Sequence, residues 1–280
     1  MNKTAAAQAK VESWDPLWNQ LRREAEEVSA AEPALGGFLY ASILSHSRFE
    51  DAVVHRLAQR LQHAALDVGL IHKTFHEILD QDPNLGEEFR ADAMAWIQRD
   101  PACDRLIEPL VYFKGYHALQ THRIGNRLWN AGRTDFALYL QSLVSRFLQV
   151  DIHPAARLGR SIMIDHATGI VIGETAVVGN NCSLLHNVTL GGSGNEHGDR
   201  HPKIGCGVMI GAGAKILGNI RVGDCARIAA GSVVLKDVPD RRTVAGVPAR
   251  DIGENTCPEP ALTMDQFVPG EDVHLGEDEL

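Results

Sequence analysis

Residues 204–239 read Ile204-Gly-Cys-Gly-Val-Met, Ile210-Gly-Ala-Gly-Ala-Lys, Ile216-Leu-Gly-Asn-Ile-Arg, Val222-Gly-Asp-Cys-Ala-Arg, Ile228-Ala-Ala-Gly-Ser-Val and Val234-Leu-Lys-Asp-Val-Pro. An aliphatic side chain returns every sixth residue, a period that suits neither an amphipathic helix nor a simple alternating strand. Working upstream, the same spacing joins Ile172, Val178, Leu184 and Leu190, and before them Ile152, Leu158 and Ile164. Glycine follows the aliphatic residue at Gly159, Gly173, Gly179, Gly191, Gly205, Gly211 and Gly223, where a corner needs permissive backbone angles.

Each hexapeptide therefore predicts one short strand and one turn. Three of them close a triangular coil, and stacked coils bury a column of Ile, Leu and Val while neighbouring backbones pair along the stack. The expected architecture over residues 149–254 is a parallel β-helix. A loop-rich sandwich is the competing architecture, and thirteen aliphatic anchors in register weigh against it. Two interruptions restart the register: two extra residues around His166-Ala167-Thr168-Gly169, and eight between Leu190 and Ile204.

Before the repeat, apolar residues fall at helical spacing, as in Phe49, Val53, Leu57 and Leu61, then Ile71, Phe75 and Ile78, and later Phe136, Leu140, Leu143, Val144 and Phe147. Asp82-Pro83 and Ala131-Gly132 break the segments. The expected organisation is α+β: an all-helical domain over 1–148, the β-helix over 149–254, and an acidic, aperiodic tail over 255–280 that is mobile when unbound.

The 280 residues suffice for two domains with cores of their own. With 44% hydrophobic and 22% charged residues the chain reads as soluble and globular. A net charge of −9 without clustered Lys or Arg argues against nucleic-acid partners. The five cysteines are widely spaced without a CxxC pair, so they read as reduced rather than zinc-binding or redox-active. The first residues contain no apolar signal core, and no apolar run approaches membrane length. A cytoplasmic protein without membrane contact and acting on small molecules is the expectation.

Both register breaks hold residues with chemical potential. His166 can act as a general base. Asp151, about one coil earlier, is expected beside it, where a carboxylate holds the imidazole in one tautomer and stabilises the imidazolium. Without that company each has a plainer reading: His166 a satisfied polar turn residue, Asp151 a solvated strand start. The second break, Ser193 to Lys203, is too polar for a core and must project as a loop. Within it Arg200 offers a planar fork for a carboxylate, with His201 as a neighbouring donor. Alternatively it is a solvated loop.

The segments DIHPAA, IDHATGIVIGETAVVG, VTLGG, GDRHPKIG, GVMIGAGAKILGNI and AGVPAR, together with RDPACDRLIEPLVYFKGYHALQTHRIGNRLWNAG in the helical half, resemble serine acetyltransferases over nearly the whole chain. The resemblance implies a left-handed coil and acetyl transfer from acetyl-CoA to the L-serine hydroxyl, giving O-acetyl-L-serine and CoA on the route to cysteine. It implies that His166 is the general base with Asp151 as its orienting partner, that Asp100 and Asp165 bind the serine ammonium, and that Arg200 and His201 hold its carboxylate. Asp100, followed by Pro101, also reads as a helix N-cap, and Asp165 as a turn cap.

The same resemblance places acetyl-CoA between neighbouring subunits of a trimer, against Gly192, Ser193, Ala212 and Ala230, with Lys203 or Lys236 neutralising phosphate. It implies no metal, a homotrimer or a hexamer built as a dimer of trimers, and L-cysteine as a feedback inhibitor competing with serine. It further implies that the C-terminal tail docks into O-acetylserine sulfhydrylase; relatives commonly end in isoleucine, whereas this chain ends at Leu280. Three other readings stay open: an acetyltransferase for a sugar or xenobiotic, a γ-class carbonic anhydrase using His186, His197 and His201, and a structural spacer.

Overall fold

A computed structural model describes residues 15–63, 66–194, 197–255 and 257–266. The helical half is built from α1 (Pro16–Ala31), α2 (Phe49–Leu61), α3 (Val68–Gln81), α4 (Asn84–Arg99), α5 (Lys114–Asn130) and α6 (Thr134–Leu148), with shorter turns between them. Sequence chemistry sets their ends. Asp15 caps α1 by accepting from the Trp18 amide, and Pro16 occupies the first turn, where its missing N–H costs nothing. Gln149 ends α6 in the left-handed conformation, turning the chain into the first strand at Val150.

From Val150 the chain winds through three faces. The first holds Val150–Ile152, Ile170–Ile172, Thr189–Gly191, Lys215–Leu217 and Val233–Val234. The second holds Arg157–Leu158, Val177–Val178, Lys203–Ile204 and Arg221–Val222. The third holds Met163–Ile164, Ser183–Leu184, Met209–Ile210 and Arg227–Ile228, closed by the antiparallel pair Arg242–Gly246 and Ala249–Glu254. Pairing between coils is parallel, as expected for a β-helix. On the first face, Asp151 pairs with Val171, Val171 with Thr189, Thr189 with Lys215 and Lys215 with Val233. These steps are 20, 18, 26 and 18 residues, so a plain coil is three hexapeptides and the two interruptions are loops that leave the stack undisturbed.

The helical half packs on the first coil, against Val150–Ile152 and Met163–Ile164. Gly115 at the start of α5 packs on the Ile164 carbonyl so closely that a Cβ there would lie 1.9 Å from the oxygen. Arg123, 1% exposed, holds Asp92 through Nε and Nη2 at 2.7 and 3.0 Å and donates to the Gly159 carbonyl at 2.6 Å. Asp92 Oδ1 also accepts from the Ile162 amide. A buried ion pair with its remaining valences filled by backbone is the form in which charges survive burial.

Part of the segment expected as a mobile tail is packed instead. Pro260–Thr263 forms a helical turn with Pro260 and Ala261 buried, Ala261 lying against Leu185 and Met209. The Ala261 carbonyl accepts from Ser183 Oγ, and Asp265 pairs with buried Arg227 at 2.6 Å. The apolar Pro260-Ala261 pair supplies the anchoring that composition alone did not reveal. The rest of the tail, including Leu280, lies outside the described residues. Among the described residues no helix is long and apolar enough to cross a membrane.

Candidate active site

At the corner between the third and first faces, His166, His186, Ala212 and Ala230 occupy equivalent places, each two residues beyond its strand. Backbone bonds tie this column together: Asn187 N donates to Thr168 O, Gly213 N to His186 O and Gly231 N to Ala212 O, at 2.7–2.9 Å. The two-residue interruption makes the lowest corner unusual. His166 and Ala167 both have positive φ, 55° and 59°, a conformation that costs non-glycine residues energy and clusters at functional sites.

An open cleft of about 610 Å³ lies between this corner and the helical half, lined by Trp96, Asp100, Phe113, Lys114, Asp165 and His166 among others. Asp100 ends α4, and its Oδ1 accepts from the Ala102 amide at 2.9 Å. It is thus a C-cap rather than the N-cap that its neighbour Pro101 suggested: Pro101 stops the preceding helix instead of starting a new one. Asp165 projects beside it. Burial raises the Asp165 pKa above the ordinary carboxylate value, the nearby Asp100 carboxylate adds to the rise, and His166 opposes it. His166 Nε2 lies 3.3 Å from Asp165 Oδ2 with 71% of its side chain open to solvent, and its ring meets His186 edge to face at 5.8 Å.

The other expected residues stand across the first face, at its opposite edge. Arg200 Nη2 bonds Glu174 Oε2 at 2.7 Å, and the Arg200 guanidinium in turn holds Glu174 ionised below its ordinary range. His201 is 7% exposed and lies over Gly173, where a Cβ would come within 2.0 Å of its ring. Its Nδ1 accepts from the Thr175 amide, and burial lowers its pKa, with Arg200 acting in the same direction. Gly192 and exposed Ser193 open the projecting loop, and exposed Lys236 lies two coils above Gly192. Lys203 faces an occupied environment: its ammonium meets Asp199 Oδ1, Thr175 O and His201 O at 2.5–3.0 Å. It staples the loop base.

Asp151 lies on the first face itself. Its coil neighbour is Val171, and its Oδ1 accepts from Gln141 Nε2 at 2.6 Å. Asp151 does not stack on His166 within one chain: a full coil from Asp151 reaches Val171, whereas His166 is only 15 residues on, at the preceding corner, where its ring neighbour is His186. Inside a single chain, Asp100, Asp165 and His166 come together at one edge, and Arg200 and His201 at the other. Ala212 and Ala230 share the first edge, and Gly192, Lys203 and Lys236 the second.

Two residues, Glu174 and Lys114, escaped sequence reading, and His186 was read there only as a carbonic-anhydrase ligand. Glu174 falls two residues after the Ile172 anchor, one coil from the Arg200 loop, a position legible once the register is known. His186 is equally legible as the corner after Leu184. Lys114, which donates to Thr168 Oγ1 beside His166, carries no sequence signal because the contact spans the two halves.

Chemically, one edge offers a solvent-open imidazole and two carboxylates suited to a cation, and the other a guanidinium suited to an anion. Among the described residues no three His, Cys, Asp or Glu side chains are placed to hold one metal ion. His186 and His201 stand at different edges, and His197 is exposed in the loop.

Comparison with known proteins identifies the family. The family model for the N-terminal region of serine acetyltransferase matches residues 17–121, and that for bacterial transferase hexapeptide repeats matches 201–236. A serine acetyltransferase of Escherichia coli K12 is 49% identical over 259 residues, 92% of this chain and 95% of that protein. The crystal structure of serine acetyltransferase in complex with coenzyme A from Brucella abortus strain S19 superposes with a TM-score of 0.86 at 56% identity, covering 88% of this chain and 98% of that one. A serine acetyltransferase solved in complex with cysteine gives 0.88 at 46% identity, over 90% and 98% of the two chains.

Proposed function

The chain belongs to the serine acetyltransferase family, and from that premise we propose how its own residues hold the substrates and move the proton. It is an acyltransferase with acetyl-CoA as co-substrate, transferring acetyl to the L-serine hydroxyl to give O-acetyl-L-serine and CoA.

The observation that carries the proposal is the convergence of Asp100 and Asp165 on the cleft that His166 enters. Two carboxylates share a partly desolvated wall, and an ammonium between them offsets both the burial and the mutual repulsion that raise Asp165. Serine anchored there presents its hydroxyl to the exposed His166 imidazole. His166 takes the hydroxyl proton as the oxygen bonds to the acetyl carbon, then returns it to the departing sulfur, so no net proton is consumed. Acetyl-CoA supplies the acetyl group on a thioester. The groove of about 450 Å³ beside Ala229, Ala230 and Gly211, above His166 in the same column, has the small residues that an extended pantetheine arm needs.

The serine carboxylate requires Arg200 and His201, and the imidazolium requires Asp151, yet Arg200 and His201 stand across the first face from His166, and Asp151 lies on that face. A closed ring of copies joins unlike edges of neighbouring subunits. The reading is a trimer in which the corner of one chain meets the loop edge of the next, so that Arg200, His201, Asp151 and Lys236 serve the neighbour's His166. Division into a helical domain over 1–148, a catalytic coil over 149–254 and a tail beyond completes the picture, with helical domains pairing trimers into hexamers. L-cysteine, differing from serine by a thiol for the hydroxyl, binds the same anchors and competes with serine; a family member bound to cysteine supports this. Docking of the tail on O-acetylserine sulfhydrylase and a cytoplasmic location belong to the same reading.

Release of free thiol from acetyl-CoA, measured with L-serine, homoserine or a sugar as acceptor, tests the assignment. Serine-dependent release that falls about 10²- to 10⁴-fold in His166→Ala is the expected result. Release independent of serine, or undiminished in the variant, contradicts it.

A further inference from the structure

The helical half carries a second histidine cluster, remote from the cleft. His46, His55, His72 and His76 form a chain of rings with successive centroids 4.8, 6.1 and 4.3 Å apart. His72 and His76 stand one turn apart on α3, where residues four apart share a helix face. Their Nε2 atoms are 3.2 Å from each other. From α2, Asp51, held by Arg48 through both carboxylate oxygens at 2.7 and 3.0 Å, places Oδ1 3.7 Å from the opposite ring nitrogen of His76. Behind them, His55 Nε2 is buried without a hydrogen-bond partner.

Two imidazole nitrogens at that separation either share one proton or turn both lone pairs on one cation. With metal–nitrogen bonds of about 2.0–2.1 Å, nitrogens 3.2 Å apart subtend about 100° at the ion, near the tetrahedral value. A proton on His76 Nδ1, on the side of Asp51, leaves its Nε2 as a lone pair facing His72. A carboxylate behind a ligating imidazole is the usual outer partner that fixes the ring and raises its basicity.

We propose that His72 and His76 chelate a divalent first-row transition ion such as Zn²⁺ or Ni²⁺ through their Nε2 atoms, with Asp51 orienting His76. Imidazole suits these ions over Mg²⁺ or Ca²⁺. Both rings are half-buried, so water reaches the ion and fills its other positions. The two protein ligands lie on one helix and the orienting carboxylate on another, so an occupied site ties α3 to α2. Nothing in this site touches the acetyl-transfer residues, and it stands whether or not that mechanism does.

The test is calorimetric titration of Ni²⁺ and of Zn²⁺ into tag-free, metal-stripped full-length protein, with stoichiometry read per chain. The expected result is that His72→Gln and His76→Gln each lose one bound ion per chain, and that Ni²⁺ raises the melting temperature of the parent protein more than that of either variant. Asp51→Asn keeps both ligands and reads the site even if a histidine variant fails to fold; it should weaken binding about tenfold or more. Unchanged stoichiometry in both histidine variants, unchanged affinity in Asp51→Asn, or no ion bound by the parent protein overturns the proposal and assigns the 3.2 Å contact to an N–H···N hydrogen bond.

Discussion

Gly115 and Ile164 are in backbone contact: a methyl group on Gly115 would lie 1.9 Å from the Ile164 carbonyl oxygen. Ile164 immediately precedes Asp165 and His166, so this contact sets how α5 bears on the corner that holds both. Gly115→Ala must push the helix and the coil apart. The expected cost is about 1–3 kcal/mol of stability, with a fall in kcat larger than that of an exposed control such as Gly37→Ala, where a Cβ meets open space. Urea unfolding and steady-state kinetics on both variants check it, and wild-type kinetics in Gly115→Ala would show that the corner does not depend on this contact.

The Arg123–Asp92 pair joins α5 to α4 and, through Gly159 O and the Ile162 amide, ties both helices to the coil. Removing one buried partner leaves the other charged and unpaired, and such changes cost about 3–5 kcal/mol. Asp92→Ala should therefore destabilise far more than breaking the half-exposed pair of Arg242 with Asp251, where the loss should stay below about 1 kcal/mol. Denaturant midpoints of the two variants decide the order.

Burial holds His117 and His122 at about 3, well below the ordinary histidine value. The unfolded chain then binds protons more readily than the folded one. Stability from these groups is complete above about pH 6.5 and declines as pH falls toward 3, by up to about 1 kcal/mol per pH unit for each. His55, held at about 4 by burial and then by His46 and His72, acts in the same direction. Unfolding free energies between pH 7 and 4.5 should fall steadily, and His122→Gln should flatten the slope. A flat profile in the parent protein would contradict the buried neutral state.

Arg200 presents two of its nitrogens to Gly198 O and Glu174, a geometry that a lysine cannot copy. Arg200→Lys should raise KM for serine by about tenfold or more, the value of a lost charge-assisted hydrogen bond, while KM for acetyl-CoA changes little. Initial rates with each substrate varied in turn separate the two.

The fold was legible because its period is local. Ile204, Ile210 and Ile216 announce a coil without knowledge of any distant residue, and the interruptions at His166 and after Leu190 stand out against it. His166, Asp165 and Arg200 were found from those breaks and from family resemblance. What escaped depends on three-dimensional pairing. Asp151 is 15 residues before His166, less than the 20 that one coil takes there, so it stacks on Val171 instead. Lys203 looks free in sequence but is held by three oxygens. Ala261 reads as tail until it meets Leu185 and Met209, which come from two different coils.

The central claim is that each active site takes His166 from one chain and Arg200 from its neighbour. His166→Ala and Arg200→Ala chains, each nearly inactive alone, can be refolded together in equal amounts and assayed for serine-dependent thiol release. Random trimers place an intact His166 next to an intact Arg200 at about a quarter of the interfaces, so recovery of about a quarter of wild-type activity is predicted. A mixture no more active than its separate components would mean that both residues must come from the same chain, and would contradict the shared site.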